Sequence, residues 1–597
     1  MSGLNGRNLG LGKSNFKFLQ ETNAFYVDKT QMIVDWWHNN DDVTLITRPR
    51  RFGKTLMMST IEHFFSLQYA EDGEKLFGHY AVWQDETLRN LQGKFPVISL
   101  SFMGVEPDSF SDLIDEMRDI VAALYNQYQY LLDRKELNER EYAQIIRLQG
   151  KTSTRAELTS SIAFLSNCLY KCHGVGPIIL IDEYDVVLQK AFSCGYWKSA
   201  VTFFRSLLGK ALKGKGRFTR AILTGVTRIS KESIFSDLNH LAISSVTTPL
   251  YSQAFGFTRS EVEQAMQSYG FSNFDDVKDW YDGYHFGNAM DIYNPWSILN
   301  YLRTGVTAPY WVNTSSNELV SDLVRLHANT LDRFSSLLQG NSIAADVMED
   351  ASFRDLEHNE SAIWGILLSS GYLRSDAVLP AFNESDESSM YDDAVRTPMS
   401  SHAQRMQLSI PNGETRLLFS RIVEGWFSPD HTVAYIPFIE ALLRNDLAGM
   451  NTHMQEMLQS MFSYFDTDVI LNRKEKKTLP SAEATVPERF FHGFVLGLMV
   501  QLRKSYSIES NTESGLGRFD VALIPKAASI GDFSAYIFEF KIQSPEDASL
   551  HDTAKRALNQ IQNKAYDTKM VQLGIPKDKI HRYGFGFHGK RVVITGD

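Results

Sequence analysis

LITRPRRFGKTLMMSTIEHFF, residues 45–65, decides how the first half of this 597-residue chain folds. DDVTLITR at 41–48 contains a short apolar run of the kind that forms a buried strand. Leu56, Met57, Met58, Ile61, Phe64 and Phe65 then continue as a helical face. Gly53-Lys54-Thr55 falls between them, so the stretch predicts strand, loop and helix. A loop in that setting holds phosphate because backbone N–H groups and a helix N-terminus converge on anionic oxygens. Gly53 allows close backbone approach, Lys54 is expected at the outer phosphates, and the Thr55 hydroxyl is expected to ligate magnesium. Arg48 stands where such loops usually open on glycine. Arg50 and Arg51 either compensate electrostatically or face a partner. Residues Arg50, Arg51, Phe52, Gly53, Lys54 and Thr55 together form the expected cofactor-binding loop.

The text that follows alternates. Phe95–Leu100 reads as a strand, 107–147 as largely helical, IILIDEYD at 178–185 as a strand ending in carboxylates, and RAILTG at 220–225 as another strand. Between the last two runs a helix rich in aromatics that reaches Phe203-Phe204. This alternation predicts a parallel α/β domain. Asp182 is expected to act through magnesium and its waters, and Glu183 to orient or deprotonate an attacking water. Asp185 either orders the catalytic loop or caps a helix. Thr224 is placed to sense the terminal phosphate. Arg228 either neutralises phosphate, in cis or on a neighbouring subunit, or is solvated. Tyr26, Asp28, His285, Trp280, Trp296 and Trp311 are read as packing, capping and hydrogen-bonding residues rather than ligands.

Residues 258–375 favour helices, with a capping box at Thr258 and Glu261. A polar loop or hairpin insertion is expected over 382–405, helices over 414–462, and a charged connection over 472–487. The last 110 or so residues return to α/β signals. GRFD at 517–520 and FEFK at 538–541 bring the second chemistry. Glu539 and Lys541 lie two apart and share a strand face, and Asp520 reaches them from a neighbouring strand. Two carboxylates can hold magnesium or manganese against a phosphodiester while the lysine stabilises phosphate charge or positions water. Ile542 offers a carbonyl ligand and Glu488 a third acid. Gln560 and Lys564, four apart on one helix face, are expected to position water, phosphate or the nucleic-acid backbone. A surface salt bridge is the plain competitor for the acidic–acidic–lysine set.

Bulk properties narrow the class. Hydrophobic residues make up 43% and charged residues 22%, which fits a folded globular protein of several domains. The net charge of -11 excludes a uniformly basic protein but leaves room for a local basic groove. Cys168 and Cys172 form a Cys-x3-Cys pair with no second pair to complete a zinc site. The sparse cysteines and the absence of a signal segment or a long apolar run point to a cytoplasmic protein without a membrane span.

These motifs carry a resemblance. YVDKT at 26–30, the RPRRFGKT loop, IILIDEYD, TGVTRISKESIFSDLNHL at 224–241, YDGYHFG at 281–287 and DIYNPWSILN at 291–300 resemble the AAA-ATPase-like family over about residues 10–300. That resemblance implies an additional-strand P-loop fold and adenine nucleotide binding. GRFD, FEFK and QIQNKAY resemble the PD-(D/E)XK nuclease-like domain often joined to that module, over about residues 485–590, although Phe519 replaces the proline before Asp520. The expected architecture is α/β: an AAA-type P-loop domain over 1–300, a mainly helical lid or linker over 301–480, and a restriction-endonuclease-like domain over 481–597. The expected cofactors are ATP and Mg2+, with Mn2+ an option at the tail. The expected partner is nucleic acid, DNA before RNA, with a homo-oligomer or a regulatory protein as further options. The function expected is ATP-controlled phosphodiester cleavage. The competing reading is a non-cleaving ATP-dependent switch or remodelling module.

Overall fold

The computed structural model describes residues 8–213, 218–228, 241–312, 341–351, 359–380, 403–426, 435–461, 505–514, 517–526, 533–544, 547–588 and 591–597, with isolated positions within 333–340, 355–356 and 495–502. The chain divides into two compact units, residues 1–315 with 344–415, and residues 316–343 with 416–597.

The first unit is built on five parallel strands: β1 (Val43–Thr47), β2 (Val97–Ser101), β3 (Ile178–Asp182), β4 (Arg220–Gly225) and β5 (Leu241–Ser244). Their order is β2-β3-β4-β1-β5. All neighbours are parallel, with Val43 opposite Ala221 and Ile179 opposite Ala221 on the other side. β4 therefore lies between β1 and β3, as the family resemblance implied. β1, β3 and β4 are buried along their whole length, which is why they read as continuous apolar runs rather than alternating ones. The helices expected after the loop and through Phe203-Phe204 are α1 (Lys54–Phe65) and α4 (Trp197–Leu212), joined by two that the sequence reading did not name, α2 (Arg155–His173) and α3 (Val186–Ser193). α2 starts at a capping box of Thr154 and Glu157 and stops at left-handed Gly174.

Downstream, the predominantly helical reading needs a correction. Two small sheets interrupt it. β6 (Phe257–Thr258), β7 (Tyr284–Phe286) and β8 (Ala289–Tyr293) pair in the order β6-β8-β7, and β9 (Ile343–Val347), β10 (Arg374–Val378) and β11 (Gln404–Ser409) in the order β10-β11-β9. Tyr-His-Phe and Ala-Met-Asp-Ile-Tyr are too short for periodicity to separate strand from helix. β10 and β11 are antiparallel, which fits a hairpin flanking the polar insertion expected over 382–405; residues 382–402 of it lie outside the described residues, and its end belongs to β11. The predicted capping box at Thr258 and Glu261 is present. Helices α5 (Pro295–Thr304) and α6 (Gly413–Trp426) complete what the site needs.

The second unit holds helix α7 (Leu447–Met461) and a five-stranded sheet of β12 (Tyr506–Ser514), β13 (Gly517–Pro525), β14 (Ala535–Ile542), β15 (Ile580–His588) and β16 (Arg591–Gly596) in that order. Only β14 and β15 are parallel, and helix α8 (Leu550–Asn563) makes the crossover between them. Glycine lets that helix lie close. A Cβ on Gly584 would sit 2.3 Å from Ala554 O, and one on Gly586 2.7 Å from Leu550 O. β16 is an outer strand, and α7 covers it with amide side chains. Asn451 donates through Nδ2 to Ile594 O at 2.9 Å and accepts from Ile594 N at 2.8 Å, imitating a neighbouring strand.

Candidate nucleotide site and candidate metal centre

The loop between β1 and α1 is gripped by its own sequence. Arg48 is completely buried and turns away from solvent. Its guanidinium donates to Thr47 O at 2.8 Å, Ser244 O at 2.9 Å and Ser244 Oγ at 3.1 Å. It also lies over Phe286 at 5.0 Å. The residue at the usual glycine position is thus a fastener between β1 and β5. Phe52, expected at the cofactor, puts its ring into the core against Tyr284 and Phe286. Arg51 adopts φ +67° and lies over Trp296 at 4.5 Å. Arg50 is exposed, and its carbonyl accepts from Trp311 Nε1 at 3.0 Å. Gly53 takes φ +91°, and the N-terminus of α1 that it opens carries no side-chain cap.

Lys54 is buried, and Nζ donates to Arg48 O and Pro49 O, both at 2.8 Å. Burial lowers its pKa, and the nearby charge of Asp182, Asp185 and Glu183 opposes that shift. Across the sheet Thr224 Oγ1 donates to Asp182 Oδ1, so the tips of β3 and β4 are joined. Asp182 is 4% exposed, and its Oδ2 takes no hydrogen bond from the protein. A buried carboxylate oxygen with no donor, close enough to Lys54 at the head of α1 for its charge to be felt there, fits a hard cation such as magnesium. Glu183, at φ +54°, is half-buried. Desolvation, then the charge of Asp182, pushes its carboxyl above the usual range.

Asp185 resolves into one of its two readings. It makes no capping bond to α3, whereas its Oδ2 accepts from Val226 N at 2.9 Å, Thr227 N at 2.8 Å and Thr227 Oγ1 at 2.9 Å. It orders the loop that leads to Arg228, which is half-buried. Gly225 is needed there because a Cβ would meet Asp185 Oδ1 and Tyr184 Cε1, each at 2.7 Å. Asp28 accepts from Thr30 N and Ala81 N, and His285 Nδ1 pairs with Ser375 O at 3.0 Å, in keeping with structural roles. Cys168 is buried and unpaired.

In the second unit, Val521 pairs with Phe538 and Ala522 with Ile537. The same register sets Asp520 opposite Glu539, on one sheet face with Lys541. Asp520 Oδ2 accepts from Phe540 N at 2.8 Å, which fixes the carboxylate beside β14. Glu539 is 1% exposed. Its Oε1 accepts from Lys541 Nζ at 3.4 Å and from Gln560 Nε2, and its Oε2 takes no hydrogen bond from the protein. Burial, reinforced by Asp520 and opposed by Lys541, pushes the Glu539 carboxyl up to about 8. Glu539 and Lys541 stand beside Gly584 and Gly586 in register, the two glycines over which α8 approaches. That approach is what delivers Gln560.

Other tail residues are placed differently. Lys564 is exposed at the C-terminal end of α8. The Ile542 carbonyl accepts from Arg556 Nη2 at 3.3 Å. Glu488 lies outside the described residues. Tyr566, absent from the candidates derived from sequence, comes in through Gln560 Nε2, 3.3 Å from its hydroxyl; its place in QIQNKAY was the available signal. Among the described residues no three acidic, histidine or cysteine side chains gather into a metal cluster. Asp520 and Glu539 are two neighbouring carboxylates, and the bare Glu539 Oε2 is an oxygen of the kind magnesium or manganese takes. No helix among the described residues is long and apolar enough to cross a membrane.

A protein of Azotobacter chroococcum mcd 1, named "Uncharacterized protein in vnfD 5'region", is 24% identical over 605 residues, covering 99% of this chain and 98% of its own. Residues 10–235 match the family model described as "Predicted AAA-ATPase", and residues 486–596 match that of the PD-(D/E)XK nuclease superfamily. The chain thus carries an AAA-ATPase-like domain followed, at its C-terminal end, by a domain of the PD-(D/E)XK nuclease superfamily.

Proposed function

We propose that this protein binds and hydrolyses ATP and uses that cycle to control metal-dependent cleavage of nucleic acid, DNA before RNA, by its C-terminal domain. The observation that carries the reading is Glu539. A carboxylate 1% exposed, bare at Oε2, facing Asp520 and flanked by Lys541 and Gln560, is an expensive arrangement for a structural ion pair. It is what a site for a divalent cation and a phosphodiester requires. When bound, magnesium would supply Lewis-acid stabilisation of the charge that builds on phosphate. Asp520 and Glu539 hold it, Lys541 neutralises or orients at the phosphate, and Gln560 fixes Glu539 in its rotamer.

In the first unit, Lys54, Thr55 and the N-terminus of α1 receive the phosphates. Asp182 and Thr55 hold magnesium, and Glu183 orients or deprotonates the attacking water. Thr224, linked to Asp182, senses the terminal phosphate. Arg50 and Arg228 add positive charge.

A cleavage screen tests the reading. Supercoiled and linear duplex DNA, single-stranded DNA and RNA are incubated with wild-type protein in Mg2+ or Mn2+, with and without ATP, beside Glu539→Ala. Cleavage of at least one substrate that responds to ATP and vanishes in the variant supports it. ATP-dependent binding to a partner with no cleavage in any condition favours the non-cleaving switch.

A further inference from the structure

The loop 48–53 is held from outside by residues far along the chain. Arg50 O receives Trp311 Nε1 at 3.0 Å and Asn294 Nδ2 at 3.5 Å. Asn294 is the N-cap of α5, and its Oδ1 accepts from Trp296 N and Ser297 N. Both arms end on one buried carboxylate. Glu414, 1% exposed at the head of α6, accepts from Ser297 Oγ at 2.8 Å and from Trp311 N at 2.5 Å. The causes acting on it are desolvation, these two bonds and the Val312 amide, with no basic side chain among them; burial pushes its carboxyl up to about 7. Among the described residues, Tyr281 and Tyr284 are titratable groups that feel its charge.

A buried acid without a cation is costly to keep. What this one holds in place is a tryptophan whose indole pins the carbonyl of Arg50, and a serine in the first turn of the helix whose cap touches the same carbonyl. Arg50 is exposed, and its charge is felt by both Lys54 and Glu183. Fixing its carbonyl fixes the backbone that precedes Gly53 and Lys54.

We propose that Glu414 is a positioning residue for the nucleotide site, acting through Trp311 and Ser297 to hold Arg50 and the loop 48–53 in the phosphate-receiving shape. This rests on the nucleotide reading given above. The chemistry predicts which replacement is tolerated. Trp311 N is only a donor, so it needs an acceptor oxygen. Ser297 Oγ can donate or accept. A glutamine satisfies both kinds of partner, with its oxygen toward the Trp311 and Val312 amides and its amide toward Ser297. An alanine satisfies neither, and its cost reaches the loop.

The test is MgATP binding by the full chain, measured by calorimetry for wild type, Glu414→Ala, Glu414→Gln, Trp311→Phe and the Glu414→Ala/Trp311→Phe double variant. Circular dichroism establishes that each is folded. The expected result is a rise in Kd of about tenfold in Glu414→Ala and in Trp311→Phe, the scale of one lost hydrogen bond. The double variant is no worse than the poorer single one, and Glu414→Gln stays within about threefold of wild type. If Glu414→Ala does not fold, Trp311→Phe and Glu414→Gln carry the decision. Wild-type affinity in Trp311→Phe, additive losses in the double variant, or a Glu414→Gln protein as weak as the alanine variant would each overturn the proposal while leaving the nucleotide reading intact. A wild-type protein that binds no MgATP would overturn both.

Discussion

Single side chains divide the chemistry between them according to burial. Glu183 is half-buried and only moderately desolvated, which suits a group that must meet water. Replacing it with glutamine should keep MgATP affinity within about threefold and lower turnover by about 100-fold or more, the range general-base removal costs. Paired binding and phosphate-release assays check both halves of that statement. Glu539 is the opposite case. Folding raises its carboxyl from 4.5 to about 8, so the protonated form is the one the fold favours. Its contribution is therefore complete below about pH 4.5 and is lost as pH rises through about 8. In EDTA, Glu539→Gln should lie close to wild type in stability near pH 4.5 and exceed it at pH 9, read from urea midpoints. Equal pH profiles for the two proteins would show that Glu539 is not desolvated as described. At this scale the motifs named Lys54, Asp182, Asp520, Glu539, Lys541 and Gln560 as candidates, and the structure brings Lys541 and Gln560 to Glu539 and Asp520 to the strand that carries it. The sequence did not show that Arg48 faces the interior or that the Phe52 ring belongs to the core, because partners at Ser244, Tyr284 and Phe286 are some 200 residues away in the chain.

Secondary-structure elements turn those residues into sites. β1, β3 and β4 were legible because buried parallel strands are unbroken apolar runs, and β14 because FEFK alternates. The small sheets formed by β6–β8 and β9–β11 were not, since two- to six-residue strands carry too little periodicity and their partners are distant. The decisive element in the second unit is the glycine pair of β15. Gly584 and Gly586 admit α8 at a distance that any side chain would forbid. Gly584→Ala forces a Cβ to 2.3 Å of Ala554 O, so the helix must lift. The expected outcome is a loss of about 1–3 kcal/mol in stability, as overpacking costs, together with weaker Mn2+ binding as Gln560 leaves Glu539. Thermal melts and metal titration check the two effects. Wild-type melting and wild-type Mn2+ affinity in that variant would contradict the role given to the helix. YGFGFH at 583–588 held this information in plain text, but a Gly-x-Gly spacing in a strand has several meanings until the helix above it is known.

For the whole molecule, two families on one chain narrow the function more than either site does alone. A nucleotide site without the tail would fit a switch or a motor, and a nuclease-like tail without the nucleotide site would fit an unregulated enzyme. A relative at 24% identity matches along nearly the whole length of both chains, so the similarity runs through both halves. The central claim is that Asp520 and Glu539 form a working metal site for phosphodiester cleavage. It is tested most directly by following nucleic-acid cleavage in Mg2+ or Mn2+, in the presence and absence of ATP, by wild type, Asp520→Ala and Glu539→Ala, each shown to be folded. The account predicts metal-dependent cleavage by wild type and a loss of about 100-fold or more in both variants. Cleavage at the wild-type rate in both variants would contradict it.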